Sequence, residues 1–133
     1  MTSKVTYLGD LRTSSVHLQS GTEILSDAPL DNNGKGEAFS PTDTVANALA
    51  TCMLTIMGIK ARDMQLNIEN STAAVTKIMN AEPRRIGAIE IAFDMSGVLE
   101  QKDKIILERA AMTCPVFLSL NADIEKRITF DWK

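Results

Sequence analysis

The sequence predicts an α+β domain in which antiparallel β-sheets surround a buried central helix. Three observations point there. Ser40–Arg62, SPTDTVANALATCMLTIMGIKAR, is one long apolar segment that opens with helix-start signals. Ile89, Ile91, Phe93 and Met95 alternate with small or polar residues, the period of a strand with one buried face. Shorter alternating runs flank the long segment and are divided by Gly, Asn and Pro clusters that mark turns. The order is βββ-α-ββ-α(α)-β, without a repeat or linker, so 1–133 reads as a single domain.

Residues 3–27 read as a β meander. Val5 and Tyr7 alternate with polar neighbours, Gly9-Asp10 turns the chain, Val16 and Leu18 alternate again, and Ser20-Gly21 makes a second turn before 23–26. Residues 28–39, APLDNNGKGEAF, form a turn-rich connection whose glycine spacing does not match a phosphate-binding loop. In the central helix Ser40 is the N-cap candidate, Pro41 suits the first helical position, and Asp43 places an acid three residues after the cap. Lys60 and Arg62 complement the dipole at its end. Val45, Ala48, Leu49, Cys52, Ile56 and Ile59 share one broad face, and Ala46, Ala50, Met53, Leu54 and Met57 make much of the rest apolar. Only a narrow stripe is small or polar: Thr44, Asn47, Thr51, Thr55, Gly58 and Arg62. Such a helix is expected to be buried on most sides.

A strand pair follows, with partial alternation over 65–79, a turn at 80–84 containing Pro83, and the strong strand ending at Gly97. Residues 99–112 read as a second helix whose inward face is expected to be Ile105, Ile106 and Ala110. Pro115 breaks it, 115–120 forms a short separate helix, and Ile124, Ile128, Phe130 and Trp132 close the chain as a strand.

Composition narrows the function. A chain of 133 residues with 44% hydrophobic and 23% charged content is an ordinary globular composition with enough length for a real core. A net charge of −3, with basic residues grouped only as the pairs Arg84-Arg85 and Lys126-Arg127, argues against nucleic-acid binding. The first 13 residues lack a continuous apolar stretch, so no signal peptide is expected. The apolar run Val45–Ile59 is shorter than the roughly 20 residues that span a bilayer, so no membrane association is expected. Two cysteines 62 positions apart and a single histidine, His17, do not make a zinc site. A cytoplasmic, reducing compartment is the expectation.

The chemistry then rests on few side chains. Cys52 lies mid-helix, where a free cysteine can be a small buried hydrophobe. Cys114 precedes Pro115 and can cap the short helix, where its thiolate would feel the positive end of the dipole. Helix position alone therefore favours Cys114 as the reactive thiol. Activating Cys52 requires a cation from elsewhere in the fold: Arg12 on the first hairpin is one candidate, with Lys60 and Arg62 further along the helix. A guanidinium suits a peroxide site, since it can hold a thiolate and a developing alkoxide together.

Two segments, GKGEAFSPTDTVANALATCMLTIMGIKAR (34–62) and ERAAMTCPVFLSLNADIE (108–125), resemble the OsmC/Ohr family of osmotically inducible and organic-hydroperoxide-resistance proteins, in its OsmC-like branch. The resemblance implies an intertwined homodimer with two sites at the subunit interface. It implies that Cys52 is the peroxidatic cysteine, Cys114 the resolving cysteine and Arg12 the site arginine. The implied function is thiol-dependent reduction of an organic hydroperoxide in oxidative-stress defence, through a disulfide reduced by an external dithiol, with no metal, haem or flavin. Where the family carries a glutamate early in the central helix this chain has Thr42 and Asp43, leaving Asp43 or Glu37 to pair with the arginine. Where the family often has histidines around the second cysteine, this chain has Met112 and Phe117. Those departures motivate an alternative: a weakly active or non-catalytic OsmC-like dimer that binds a small molecule or senses redox state.

Overall fold

The computed structural model describes Met1–Lys133 and has the expected α+β architecture, with the elements in the expected order. The chain divides into two compact units, Met1–Val45 and Ala46–Lys133.

In the N-terminal unit β1 (Ser3–Gly9), β2 (Arg12–His17) and β3 (Glu23–Asp27) form an antiparallel sheet in that order. The first turn needs left-handed backbone at three successive residues, Gly9, Asp10 and Leu11. Pairing of β2 with β3 sets Arg12 directly opposite Asp27. The connection after β3 folds back on the sheet: Ala28 N–H donates to Leu11 O (3.0 Å), Gly36 N–H to Ala28 O (3.3 Å) and Asp27 N–H to Phe39 O (3.1 Å). This path requires Gly34, where a Cβ would lie 1.7 Å from Ala28 O. The return brings Glu37 beside Asp27.

The helix α1 (Pro41–Asp63) begins within the N-terminal unit and continues into the second. Ser40 and Asp43 form a reciprocal capping box: Asp43 N–H donates to Ser40 Oγ and Ser40 N–H to Asp43 Oδ2, each at 3.0 Å. Its C-terminus closes with Gln65 in the left-handed region, as Leu66 N–H bonds Ala61 O (2.8 Å) and Gln65 N–H bonds Arg62 O (3.0 Å).

In the C-terminal unit β4 (Thr72–Ala81), β5 (Arg84–Met95) and β6 (Glu125–Trp132) form the second sheet. β4 and β5 are an antiparallel hairpin, whereas β6 runs parallel to β5, a departure from the all-antiparallel expectation. The physical reason is the connection. α2 (Gln101–Ala111) and α3 (Pro115–Ser119) carry the chain back before β6 begins, and a crossover of that length delivers a parallel strand. β5 is central, and Ile89, Ile91, Phe93 and Met95 are its buried residues along with Ile86 and Ala88. Phe93 stacks on Phe130 of β6 with ring centroids 5.0 Å apart.

Two packing expectations change. On α1 the buried residues are Ala46, Leu49, Ala50, Met53, Met57 and Ala61, so one face is buried rather than most of the surface. Val45 and Ile59 are exposed, as are Thr51 and Thr55. The buried face mixes the small Ala46, Ala50 and Ala61 with the long Leu49, Met53 and Met57. On α2 the buried residues are Leu107 and Ala111, while Ile105 and Ile106 are each 38% exposed. The 23-residue α1 is long and apolar enough to cross a membrane by length and composition alone. Its inner face, however, belongs to the same core as Ile89, Phe93 and Leu107.

Candidate active site

In the C-terminal unit both cysteines are free thiols, and Cys52 lies near enough to Cys114 to affect its ionisation. Cys52 is on α1, next to the fully buried Met53, and is half-buried. Cys114 has no exposed surface. It caps α3: its backbone is extended (φ −63°, ψ 141°), Pro115 occupies the first turn, and Phe117 N–H donates to its Sγ at 3.2 Å. The cap was legible in the sequence, but its electrostatic outcome reverses. Burial is the largest influence on Cys114 and pushes the thiol above its ordinary 9.0; the Cys52 side chain pushes in the same direction, against the opposing N–H groups of Phe117 and Val116. Cys114 belongs to the apolar core with Leu107 and Ala111, and Cys52, Val116 and Phe117 pack against that core.

In the N-terminal unit Arg12 is held by two carboxylates. Its Nε donates to Asp27 Oδ1 (2.7 Å) and its Nη2 to Asp27 Oδ2 (2.8 Å), a two-pronged pair of the strong charge-assisted type. Nη2 also donates to Glu37 Oε2 at 3.0 Å. The Asp27 side chain is 2% exposed and that of Glu37 is 63% exposed. Hydrogen bonding and charge from Asp27, followed by Glu37, raise the Arg12 pKa further, and the same Arg12 bonds lower that of Asp27.

Glu37 therefore contacts the arginine, as one of the sequence alternatives had it. Asp43 exchanges bonds with Ser40 in the helix cap, while Asp27 and Glu37 are the carboxylates seen bonded to Arg12. Asp27 was missed from sequence. The register that sets it depends on the loop: with Val16 facing Glu23, residue 12 falls opposite residue 27, whereas a two-residue turn at Ser20-Gly21 would have set it opposite residue 29. His17 bonds Ser20 at 2.7 Å in an exposed turn and contributes to neither cluster.

Comparison with known proteins gives a consistent result. Residues 34–129 match the family model described as OsmC-like protein. A crystal structure of a candidate osmotic stress induced and detoxification response protein from Psychrobacter arcticus 273-4 is 55% identical, with a TM-score of 0.95, covering 98% of this chain and 96% of that one. The fold is also shared with the OsmC-like protein of Mycoplasma pneumoniae (14% identity, TM-score 0.81, 98% and 94% coverage). It is shared further with the organic hydroperoxide resistance protein OhrB of Bacillus subtilis (16% identity, TM-score 0.68, 98% of each chain). No protein of curated function matches the chain.

Proposed function

The chain belongs to the OsmC-like protein family, and from that premise we propose that it is a thiol-dependent hydroperoxide reductase acting on organic hydroperoxides in oxidative-stress defence. One observation carries the proposal: a half-buried thiol, Cys52, sits close enough to a fully buried one, Cys114, to influence its ionisation. The difference in exposure supports the roles: peroxide can reach the half-buried Cys52, whereas Cys114 has no exposed surface, so Cys52 attacks and Cys114 resolves.

In the first step the Cys52 thiolate attacks the terminal oxygen of ROOH and the O–O bond breaks. The sulfur is oxidised by two electrons to a sulfenic acid, and the alkoxide RO⁻ takes a proton to leave as an alcohol. In the second, Cys114 sulfur displaces the sulfenic hydroxyl, which leaves as water with the Cys114 proton, and a Cys52–Cys114 disulfide forms. An external dithiol then reduces it by exchange and is itself oxidised to a disulfide. The apolar neighbourhood of the thiols favours an alkyl or aryl substituent on the peroxide over hydrogen peroxide. Arg12 supplies the cation that stabilises the thiolate and the developing alkoxide. The protein works as a cytoplasmic homodimer and needs no resident metal or prosthetic group.

Of the two departures that favour a non-catalytic, ligand-binding or redox-sensing dimer, the two carboxylate partners of Arg12 answer the missing helix glutamate, while Met112 and Phe117 beside Cys114 still favour that second reading.

Consumption of cumene hydroperoxide in the presence of a dithiol is the test. Wild type is expected to turn over and Cys52→Ser to be inactive. Cys114→Ser should give one oxidation of Cys52 per chain, without an intramolecular disulfide by mass. Equal activity of wild type and Cys52→Ser would falsify the proposal.

A further inference from the structure

Arg12 carries one positive charge and faces two negative ones, so the resting cluster has a net charge of −1. A cation covered in this way offers little positive field to a thiolate or an alkoxide. The two carboxylates differ in every respect that governs how readily they let go. Asp27 is buried, lies opposite Arg12 in the β2–β3 register and takes the guanidinium on both oxygens. Its Oδ2 also accepts the Glu37 N–H at 3.1 Å, and its own N–H is tied to Phe39 O. Breaking such a pair strands a buried charge, which is strongly unfavourable. Glu37 holds only Nη2, through one oxygen, from a loop and in solvent, where an ion pair is weak.

We propose that the two carboxylates have opposite tasks: Asp27 is a positioning residue that fixes the Arg12 guanidinium, and Glu37 is an exchangeable mask that yields its place to an anionic atom of the reaction. Nη2 is the pivot, since it is the only Arg12 nitrogen bonded to both carboxylates. With Glu37 displaced, the Arg12–Asp27 pair is neutral, and a guanidinium edge still held in orientation by Asp27 becomes available to the incoming anion. The inference rests on the reading that Arg12 serves peroxide reduction, and it deepens that reading by separating hold from release.

The test has a spectroscopic arm and a kinetic arm, both on the full chain. In ¹H–¹⁵N spectra the Arg12 Nε–H signal, assigned by its loss in Arg12→Lys, is expected to exchange slowly with solvent in wild type. It should remain slow in Glu37→Gln and become fast in Asp27→Asn. Loss of protection in both variants, or in neither, overturns the proposal. In the kinetic arm, the second-order rate of Cys52 oxidation by cumene hydroperoxide is expected to fall about tenfold or more in Asp27→Asn. It should rise in Glu37→Gln, because the mask is gone. A fall in both variants also overturns it. Should Asp27→Asn not fold, Arg12→Lys serves, because lysine keeps the charge but cannot span both Asp27 oxygens; it is expected to slow oxidation as Asp27→Asn would, and an unchanged rate counts against the proposal. Activity that survives Cys52→Ser defeats the functional reading alone, and the spectroscopic arm still decides between hold and release.

Discussion

The carboxyl of Asp27 is held below its ordinary 3.8, chiefly by the hydrogen bonds from Arg12, with smaller help from the Arg12 charge, the Glu37 N–H and Lys35, against the opposing effect of burial. A group whose native pKa is depressed stabilises the fold above its unfolded pKa and loses that contribution as pH falls through the native value. The unfolded chain binds the proton first, so the loss runs from around pH 4–5 downward. Wild type should therefore lose melting temperature over that range. Asp27→Asn should melt lower than wild type at pH 7 and show a flatter decline on acidification. Thermal melts from pH 7 to pH 3 check this, and parallel curves for the two proteins would remove Asp27 from the acid response. Asp27 also marks a boundary of sequence reading. Arg12 could be singled out by its chemistry, whereas its buried partner is fixed by strand register and turn length, which a residue-type search does not see. Cys114 illustrates the complementary case. Its capping position follows from the T-C-P context, but the direction of its pKa depends on burial by segments distant in sequence.

The helices show the same division between what is local and what is not. The capping box starts α1 where Ser40, Pro41 and Asp43 place it, and its C-terminus falls within a residue of the expected end. The left-handed closing residue is Gln65, which lacks the usual glycine signal. Which face of α1 or α2 points inward was less legible, because several faces of each are apolar and only the sheet decides among them. For α2 the consequence can be measured. Leu107 has no exposed surface and packs in the core cluster, so Leu107→Ala should cost about 2–5 kcal/mol of stability through lost transfer energy and a residual cavity. Ile106→Ala, at a residue 38% exposed, should cost distinctly less. Urea denaturation of both variants at one protein concentration compares them, and a larger loss for Ile106→Ala would restore the face that periodicity alone suggested.

Both units leave apolar surface open that a soluble chain ordinarily covers. In the N-terminal unit Val5, Tyr7 and Ile24 are each more than half exposed, and a three-stranded sheet with so little buried area is marginal without a partner surface. In the C-terminal unit the outward side of α1 presents Ile59, 52% exposed, together with Thr51 and Thr55. The two threonines spend their hydroxyls on the helix itself: Thr51 Oγ1 donates to Ala48 O at 3.0 Å and Thr55 Oγ1 to Thr51 O at 2.7 Å. With the hydroxyls so engaged, the outward stripe is short and largely methyl, which lets another helix come close. For the proposed homodimer this stripe is the expected meeting surface, because an isologous contact would set it against itself and cover both copies at once. Thr51→Trp or Thr55→Trp inserts a ring where the helices would meet, and neither residue is buried in the single chain, so the fold itself should survive. Light scattering is expected to give twice 14.5 kDa for the wild type and a shift toward 14.5 kDa for either variant, with helical content unchanged by circular dichroism. A wild-type monomer would remove the homodimer, and variants with undiminished mass would move its interface away from this stripe.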